Sequence, residues 1–300
     1  MKLSIFGSSE IVNHHIKAAQ KNSFKIFSIC TSNKNSKNVL EIAKKNKINK
    51  IFYNWKSFIK NSKENNCSVL ISGRIKDNNK ILNECLKNNL KVLIEKPVFT
   101  KVEMFNKYLK FKNNIFIGYN RVYYKNILQL KKIILEDKLL NINIKCPEIN
   151  KKNILINSCH IFSILHYLFG AIKIVKKIKN KDYILCLFKT KKNIPIFINF
   201  NFNAPDNFSI ELNLKNKRVE LRPIEKLYIF DKIVKQKYKK NNIIKPNLKK
   251  VSNEFEMSNL KPGFELQYQN YKRFLNNRTY DGIKINEAKK IISICRKIVN

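Results

Sequence analysis

No two of the seven cysteines form a C-x-x-C pair: Cys30, Cys67, Cys85, Cys146, Cys159, Cys186 and Cys295 are odd in number and scattered. That spacing argues against a disulfide framework and a zinc site, no metal is expected, and a reducing, cytoplasmic setting fits best. Long hydrophobic runs are missing too. No window approaches the ~18 uninterrupted apolar residues of a membrane-spanning helix, and the first apolar run stops at Gly7, too early for a signal-peptide core. Membrane insertion is therefore not expected. Acidic residues are few, 21 against 61 basic ones, for a formal charge of +40 over 300 residues. Such an excess normally points to nucleic acid or an anionic membrane. Yet arginine, the side chain that forks onto phosphate and guanine, contributes only seven of the 61. Lysine instead accompanies abundant Asn and Ile along the whole chain, as AT-rich coding would produce, so no specific nucleic-acid partner is expected. A polyanion-binding protein is the rival carried by charge alone. Its affinity would fall roughly a thousandfold or more between about 50 and 200 mM salt for 6 to 10 phosphate contacts.

The chain does hold enough apolar side chain, 44%, for two ordinary cores. Over the first 120 residues, short β-rich runs at 2–6, 25–30, 51–53, 68–72, 91–95 and 115–119 alternate with amphipathic stretches near 12–20, 37–46, 78–87 and 102–110. This order builds a doubly wound parallel sheet. From about Ala171 the pattern changes to apolar/polar alternation at 182–189, 195–202, 208–214 and 218–222, the mark of an antiparallel sheet with one covered face. Helices are expected at 126–136, 160–169, 264–275 and 286–299, and a mobile excursion at 235–250. There is no internal repeat. The expected fold class is α/β: a Rossmann domain over 1–118 and a C-terminal α/β domain with an open, mostly antiparallel sheet over 119–300.

A dinucleotide fold needs a Gly-rich turn between its first strand and helix, so that backbone N–H groups reach pyrophosphate at the helix N-terminus. Gly7-Ser8-Ser9-Glu10-Ile11-Val12 stands there with only the first glycine kept. Gly7, Ser9, Glu10 and Ile11 are the candidate contacts; the plain alternative is a tight turn. After the second strand no carboxylate is available for ribose hydroxyls. Thr31 is followed by Ser32, Asn33 and Lys34, whose donors suit a 2′-phosphate and favour NADP(H) over NAD(H). Ser72 closes the fourth strand on the same edge, and Glu95-Lys96-Pro97 closes the fifth. A lysine there can exchange a proton with a substrate hydroxyl or carbonyl; alone, it would be an ordinary surface lysine. Tyr119 and Arg121, after the sixth strand, are candidates for gripping substrate hydroxyls or a phosphate. Trp55, Tyr123, Tyr124 and His166 read as packing residues.

Taken together these motifs resemble the Gfo/Idh/MocA family of NAD(P)-dependent oxidoreductases. The resemblance runs in order through Gly7 and His15, Val92-Leu93-Ile94-Glu95-Lys96-Pro97, Gly118-Tyr119-Asn120-Arg121, Asn157-Ser158-Cys159-His160, Leu165-His166-Tyr167-Leu168-Phe169-Gly170, Lys261-Pro262-Gly263-Phe264 with Gln267, and Asp281-Gly282. The Asn-Ser-x-His form, with Pro147-Glu148 before it, is similar to a branch met in bacterial surface-sugar biosynthesis. The resemblance implies Lys96 and His160 as catalytic residues flanking the substrate carbon beside the nicotinamide. It also implies Asn157 and His160 as substrate contacts, a sugar or nucleotide-sugar substrate, and a homodimer or homotetramer. Two places depart from the family: Ile156 holds the position of a frequent Asp four residues before the His, and Ser163 that of a second acid. Asn157 can orient a substrate by hydrogen bonds but cannot act as a base, which leaves proton transfer to His160 or Lys96. A degenerate relative that binds without turnover is the alternative these departures raise.

Overall fold

The computed structural model describes residues 1–238 and 241–300. The chain opens with β1 (Lys2–Phe6), α1 (Ile11–Lys21), β2 (Lys25–Cys30), α2 (Lys37–Lys45), β3 (Ile51–Phe52), α3 (Trp55–Glu64), β4 (Ser68–Ile71), α4 (Ile75–Lys87), β5 (Val92–Glu95) and β6 (Ile115–Gly118). It continues through α5 (Lys125–Glu136), β7 (Leu139–Lys145), α6 (Cys159–Phe169), β8 (Ile172–Lys179), β9 (Tyr183–Thr190), β10 (Pro195–Asn201), β11 (Ser209–Leu214), β12 (Arg218–Leu221), β13 (Lys226–Tyr238), β14 (Asn241–Asn253), α7 (Phe264–Leu275) and α8 (Ile285–Val299).

Two compact units result: Met1–Tyr123 with Gly263–Ser293, and Tyr124–Pro262 with Ile294–Asn300. In the first, six strands lie in the order β3-β2-β1-β4-β5-β6, every pair parallel. Continuous apolar runs suit strands covered on both faces, and β4 and β6 are buried at every position. The helices supply the cover with one apolar stripe each: α2 buries Val39, Ile42 and Ala43 at three- and one-residue steps and exposes its lysines. The stretch expected as a helix near 102–110 is a 3-10 helix, Glu103–Phe111. The strand order reverses between β1 and β4, so the carboxyl ends of β1, β2 and β4 come together at a topological switch point, where ligands of such sheets bind.

A single cut after residue 118 differs from this division, because α7 returns to the first unit. Tyr271 of α7 stacks on Phe24 at 5.8 Å, Phe274 packs on Phe116 at 5.7 Å, and Lys91 Nζ donates to the carbonyl of Leu275 at 2.9 Å, closing the helix C-terminus. Sequence alternation carries no mark of that return.

The second unit is an eight-stranded sheet in the order β14-β13-β12-β11-β7-β10-β9-β8, with only β7 and β10 parallel. Along β9 and β10 the residues alternate. Ile184, Cys186, Phe188, Ile196, Ile198 and Phe200 face the core, where Phe162 of α6 meets Phe188 and Phe200. The opposite face carries exposed Leu140, Leu185 and Phe197. β8 is an edge strand, and Lys173, Lys176, Lys177 and Lys179 guard it against further pairing. The expected mobile excursion at 235–250 is instead part of a hairpin, with Val234 opposite Lys245 and Lys235 opposite Ile244; cross-strand pairing holds a stretch whose composition reads as a loop. Lys239 and Lys240 lie outside the described residues. Among the described residues no helix is long and apolar enough to cross a membrane.

Candidate functional site

Gly7 follows β1 with φ +128°, and a Cβ there would run into the backbone carbonyl of Ser72 at the end of β4. Its N–H donates to Cys30 O at 2.9 Å, while Ser72 N–H donates to Phe6 O at 2.8 Å. The three strand ends are thereby drawn together, and only glycine fits the crossing. A cleft of about 400 Å³ opens above them, bounded by the residues after β1, β2 and β4. Of the expected cofactor contacts, Gly7, Ser9, Ser32, Asn33 and Ser72 line it, and Glu10, Ile11, Lys34, Glu95 and Lys96 do not. Ser8, Thr31, Ser36, Arg74 and Asp77 line it without having been foreseen.

The loop after β2 shapes one wall. Asn33 Oδ1 accepts from Asn35 N–H at 3.1 Å in a tight polar turn, and Asn33 O accepts from Ser36 N–H at 3.2 Å. This brings Ser36 Oγ and Thr31 Oγ1 each to 3.4 Å from Ser8 Oγ, a cluster of three hydroxyls. On the other side Arg74 Nε donates to Asp77 Oδ2 at 3.3 Å, and Lys80 Nζ stands 3.0 Å from Oδ1. Burial works against the Asp77 carboxylate, but Lys80 and Arg74 outweigh it and hold its pKa below the usual range. Ser72 is buried, and its Oγ has no hydrogen-bond partner among the described residues. Burial pushes the nearby Cys30 thiol up to about 12, so it is no nucleophile.

Glu95 ends β5 and Lys96 follows it. His15 of α1 is fully buried, with Nδ1 3.1 Å from Tyr268 Oη and Nε2 3.1 Å from Glu95 Oε1, an ion-pair distance without hydrogen-bond alignment. Its ring also meets Phe264 edge-on at 4.9 Å. Glu95 thus lies against His15, which Tyr268 and Phe264 of α7 position in turn. Tyr119 is buried and Arg121 half-buried. Tyr123 Oη donates to Asp281 O at 2.9 Å and Tyr124 Oη to Glu225 Oε1 at 3.3 Å.

In the second unit a wide helical turn, Ile154–Ser158, leads into α6. His160 sits in the first turn of α6, 7% exposed, and its carbonyl accepts from Ser163 Oγ at 2.7 Å. Asn157 is exposed; its Nδ2 donates to Glu148 Oε2 at 3.2 Å, and Ser158 Oγ donates to Glu148 Oε1 at 2.5 Å. Ile156, 39% exposed, offers no polar side-chain atom.

Residues 1–113 match the family described as "Oxidoreductase family, NAD-binding Rossmann fold", Gfo/Idh/MocA. That match covers the Rossmann part of the first unit, and over it the chain is similar to the Gfo/Idh/MocA family. Solved structures share its fold over the full length. A dehydrogenase (MviM) from Clostridium difficile is 18% identical at TM-score 0.78, covering 100% of this chain and 99% of that one. The UDP-N-acetylglucosamine 3-dehydrogenase GnnA from Acidithiobacillus ferrooxidans is 10% identical at TM-score 0.72, covering 99% and 96%. The super-repressor mutant of Gal80p from Saccharomyces cerevisiae is 13% identical at TM-score 0.75, covering 99% and 94%. No curated protein matches the chain by sequence.

The cleft at these strand ends suits a nicotinamide dinucleotide. Its first strand-helix turn has no room for a Cβ at Gly7, the buried Ser72 hydroxyl is orphaned, and its wall is a set of hydroxyls with one guanidinium, the donors that ribose and phosphate oxygens take. Arg74 and Asp77 were legible in principle: they follow the fourth strand, next to the first in a doubly wound order, so their loop must reach the same edge as Gly7.

Proposed function

We propose that the chain is an NAD(P)-dependent oxidoreductase that moves a hydride to or from a secondary alcohol or ketone carbon of a sugar, free or nucleotide-linked, in the building of a surface polysaccharide or glycan. The observation that carries it is the orphaned Ser72 hydroxyl inside a cleft at the switch point of a family Rossmann fold. When bound, the nicotinamide supplies hydride chemistry. The protein supplies binding and proton handling. Gly7, Ser9 and the first-turn N–H groups of α1 take pyrophosphate. Ser32 and Asn33 take the ribose end, with Lys34 and Arg74 as cations that favour NADP(H) over NAD(H). Lys96 and His160 exchange the proton at the substrate oxygen, and Tyr119, Arg121 and Asn157 hold its hydroxyls. The apolar strand face bearing Leu140, Leu185 and Phe197 is the proposed contact of a homodimer or homotetramer.

The test is calorimetric titration of NAD(H) and NADP(H) at fixed ionic strength, then single-turnover nicotinamide absorbance with UDP-N-acetylglucosamine, UDP-glucose, N-acetylglucosamine and L-sorbose. Hydride transfer to or from any of them supports the reading; no cofactor binding refutes it. A second reading, a degenerate member that binds without turnover, is favoured by exposed Ile156 at the place of the family's Asp. Tight cofactor binding with no transfer to any sugar would select it.

A further inference from the structure

Glu148 is a carboxylate 5% exposed, gripped on both sides of its backbone: its N–H donates to Asn201 O at 3.0 Å, and its C=O accepts from Asn203 N–H at 2.8 Å. A side chain on so firm a base has little freedom. It takes two donors from the turn before α6, Ser158 Oγ, fully buried, on Oε1 and Asn157 Nδ2 on Oε2. The Asn157 amide presents its donor, Nδ2, to the Glu148 oxygen, the orientation that a carboxylate acceptor requires. Nδ2 has to face Glu148; the reverse orientation would set Oδ1 against a carboxylate oxygen. The acceptor Oδ1 is thereby fixed as the end of an exposed side chain that points away from Glu148.

We infer that Glu148 is a positioning residue: through the Asn157 amide it sets a neutral hydrogen-bond acceptor, Oδ1, for a hydroxyl donated by the substrate. The inference rests on the proposed reading of Asn157 as a substrate contact, and it deepens it. Ile156 next to Asn157 can neither accept nor donate, so the acceptor function falls on Asn157 alone of the two. A neutral acceptor also selects a ligand class. A carboxylate at this place would repel a nucleotide-linked sugar through its diphosphate, whereas an amide oxygen accepts from the sugar hydroxyl without that repulsion. The favoured ligand is a polyhydroxylated compound that itself carries negative charge.

Three variants of the full, cofactor-loaded chain test this, with UDP-N-acetylglucosamine, UDP-glucose and L-sorbose as probes, read by binding calorimetry and by the split between KM and kcat. Asn157→Asp sets two carboxylates in hydrogen-bond contact, one of which must hold a proton, so affinity for the probe should weaken as pH rises between about 6 and 9, a slope the wild type lacks. Glu148→Gln offers an amide that can bond Asn157 either way round, and KM should rise about two- to tenfold with kcat changed less. The double variant Glu148→Gln with Asn157→Asp restores the bond with donor and acceptor exchanged, the introduced amide donating to the introduced carboxylate, and should regain most of the lost affinity for the uncharged probe L-sorbose, while the charge now at position 157 keeps the UDP-linked probes weak. A double variant that is folded by circular dichroism and binds L-sorbose no better than the weaker single one overturns the inference. If Glu148→Gln fails to fold, the pH slope of Asn157→Asp decides, and a flat profile overturns it. Wild type that binds none of the probes removes the sugar reading and this inference together. Wild type that binds while neither single variant changes affinity removes only the role of Glu148.

Discussion

Replacing Ser72 by alanine separates a ligand-binding hydroxyl from a structural one. The side chain is buried at the end of β4 and its Oγ finds no partner among the described residues, while the backbone N–H stays bonded to Phe6 O whatever the side chain is. A buried polar atom left unsatisfied costs about 1 to 3 kcal/mol of desolvation, and deleting it recovers part of that against the small loss of packing around one oxygen. Ser72→Ala should therefore melt at the wild-type temperature or slightly above it. A cofactor oxygen that accepts from Oγ loses a hydrogen bond worth about 0.5 to 1.5 kcal/mol, which is roughly a two- to twelvefold rise in Kd at 1.4 kcal/mol per decade. The measurements are scanning calorimetry of the unloaded chain and titration with NAD(H) and NADP(H). A melting temperature several degrees lower with unchanged cofactor affinity would refute the reasoning, because it would mean that the hydroxyl serves the fold.

Gly7→Ala should do the opposite: φ +128° and the Ser72 carbonyl beneath the new Cβ together cost about 3 kcal/mol, lowering the melting temperature by about 6 to 12 °C for a unit of this size, as thermal unfolding will show. Loss of cofactor binding in that variant then reports a disturbed strand crossing as much as a lost contact. Lys96→Met should lower kcat by about 10² to 10⁴ with cofactor affinity retained, by single-turnover absorbance against calorimetry. For Glu254, burial raises the pKa against the N–H of Asn126 that it accepts. A carboxyl whose folded pKa exceeds its unfolded value adds stability at low pH and loses it as pH rises through the folded pKa. Glu254→Gln keeps an acceptor for Asn126 and should melt no lower than wild type at neutral pH, with any advantage shrinking as the solution is acidified through the raised folded pKa down to the ordinary Glu range; a large loss at neutral pH would contradict this.

Period and punctuation made most of the first unit legible. Strands covered on both faces appear as short unbroken apolar runs, and β1 and β2 fall where those runs stand, as does α7 with its apolar stripe. The return of α7 was not legible, because it depends on long-range ring contacts such as Phe24 with Tyr271, and an amphipathic helix reads the same whichever core it covers. Strands β7, β8, β13 and β14 escaped notice for a different reason. Their exposed positions are filled by Lys and Asn, which local composition assigns to loops, and pairing with neighbours far along the chain overrides that preference. At the site, Gly7, Ser32 and Asn33 could be named from their place after a strand. Arg74 and Asp77 needed the strand order as well, and the hold of Glu148 on Asn157 needed the fold, since nine residues and a wide helical turn separate them.

The missing glycines of the fingerprint weigh less against binding than their number suggests, because each glycine of that pattern answers a separate steric demand. At Gly7 the demand is met and is imposed by β4 itself. Ser9, exposed at the mouth of the cleft, begins the helix in the ordinary way, with its carbonyl accepting from Val12 N–H at 2.9 Å, and adds a hydroxyl where the second glycine would only have left space. Val12, at the third place, is fully buried, so the packing of α1 on the sheet has adjusted to a branched side chain without expelling it. Nothing in the dinucleotide cleft thus separates an active enzyme from a silent binder. On the proposed reading the distinction falls on the turn before α6, where an apolar Ile156 stands exposed and Asn157 and His160 are the polar side chains. On the proposed reading, substitutions in the Rossmann cleft report on cofactor, while those at Lys96, Tyr119, Arg121 and the segment from Glu148 to His160 report on turnover.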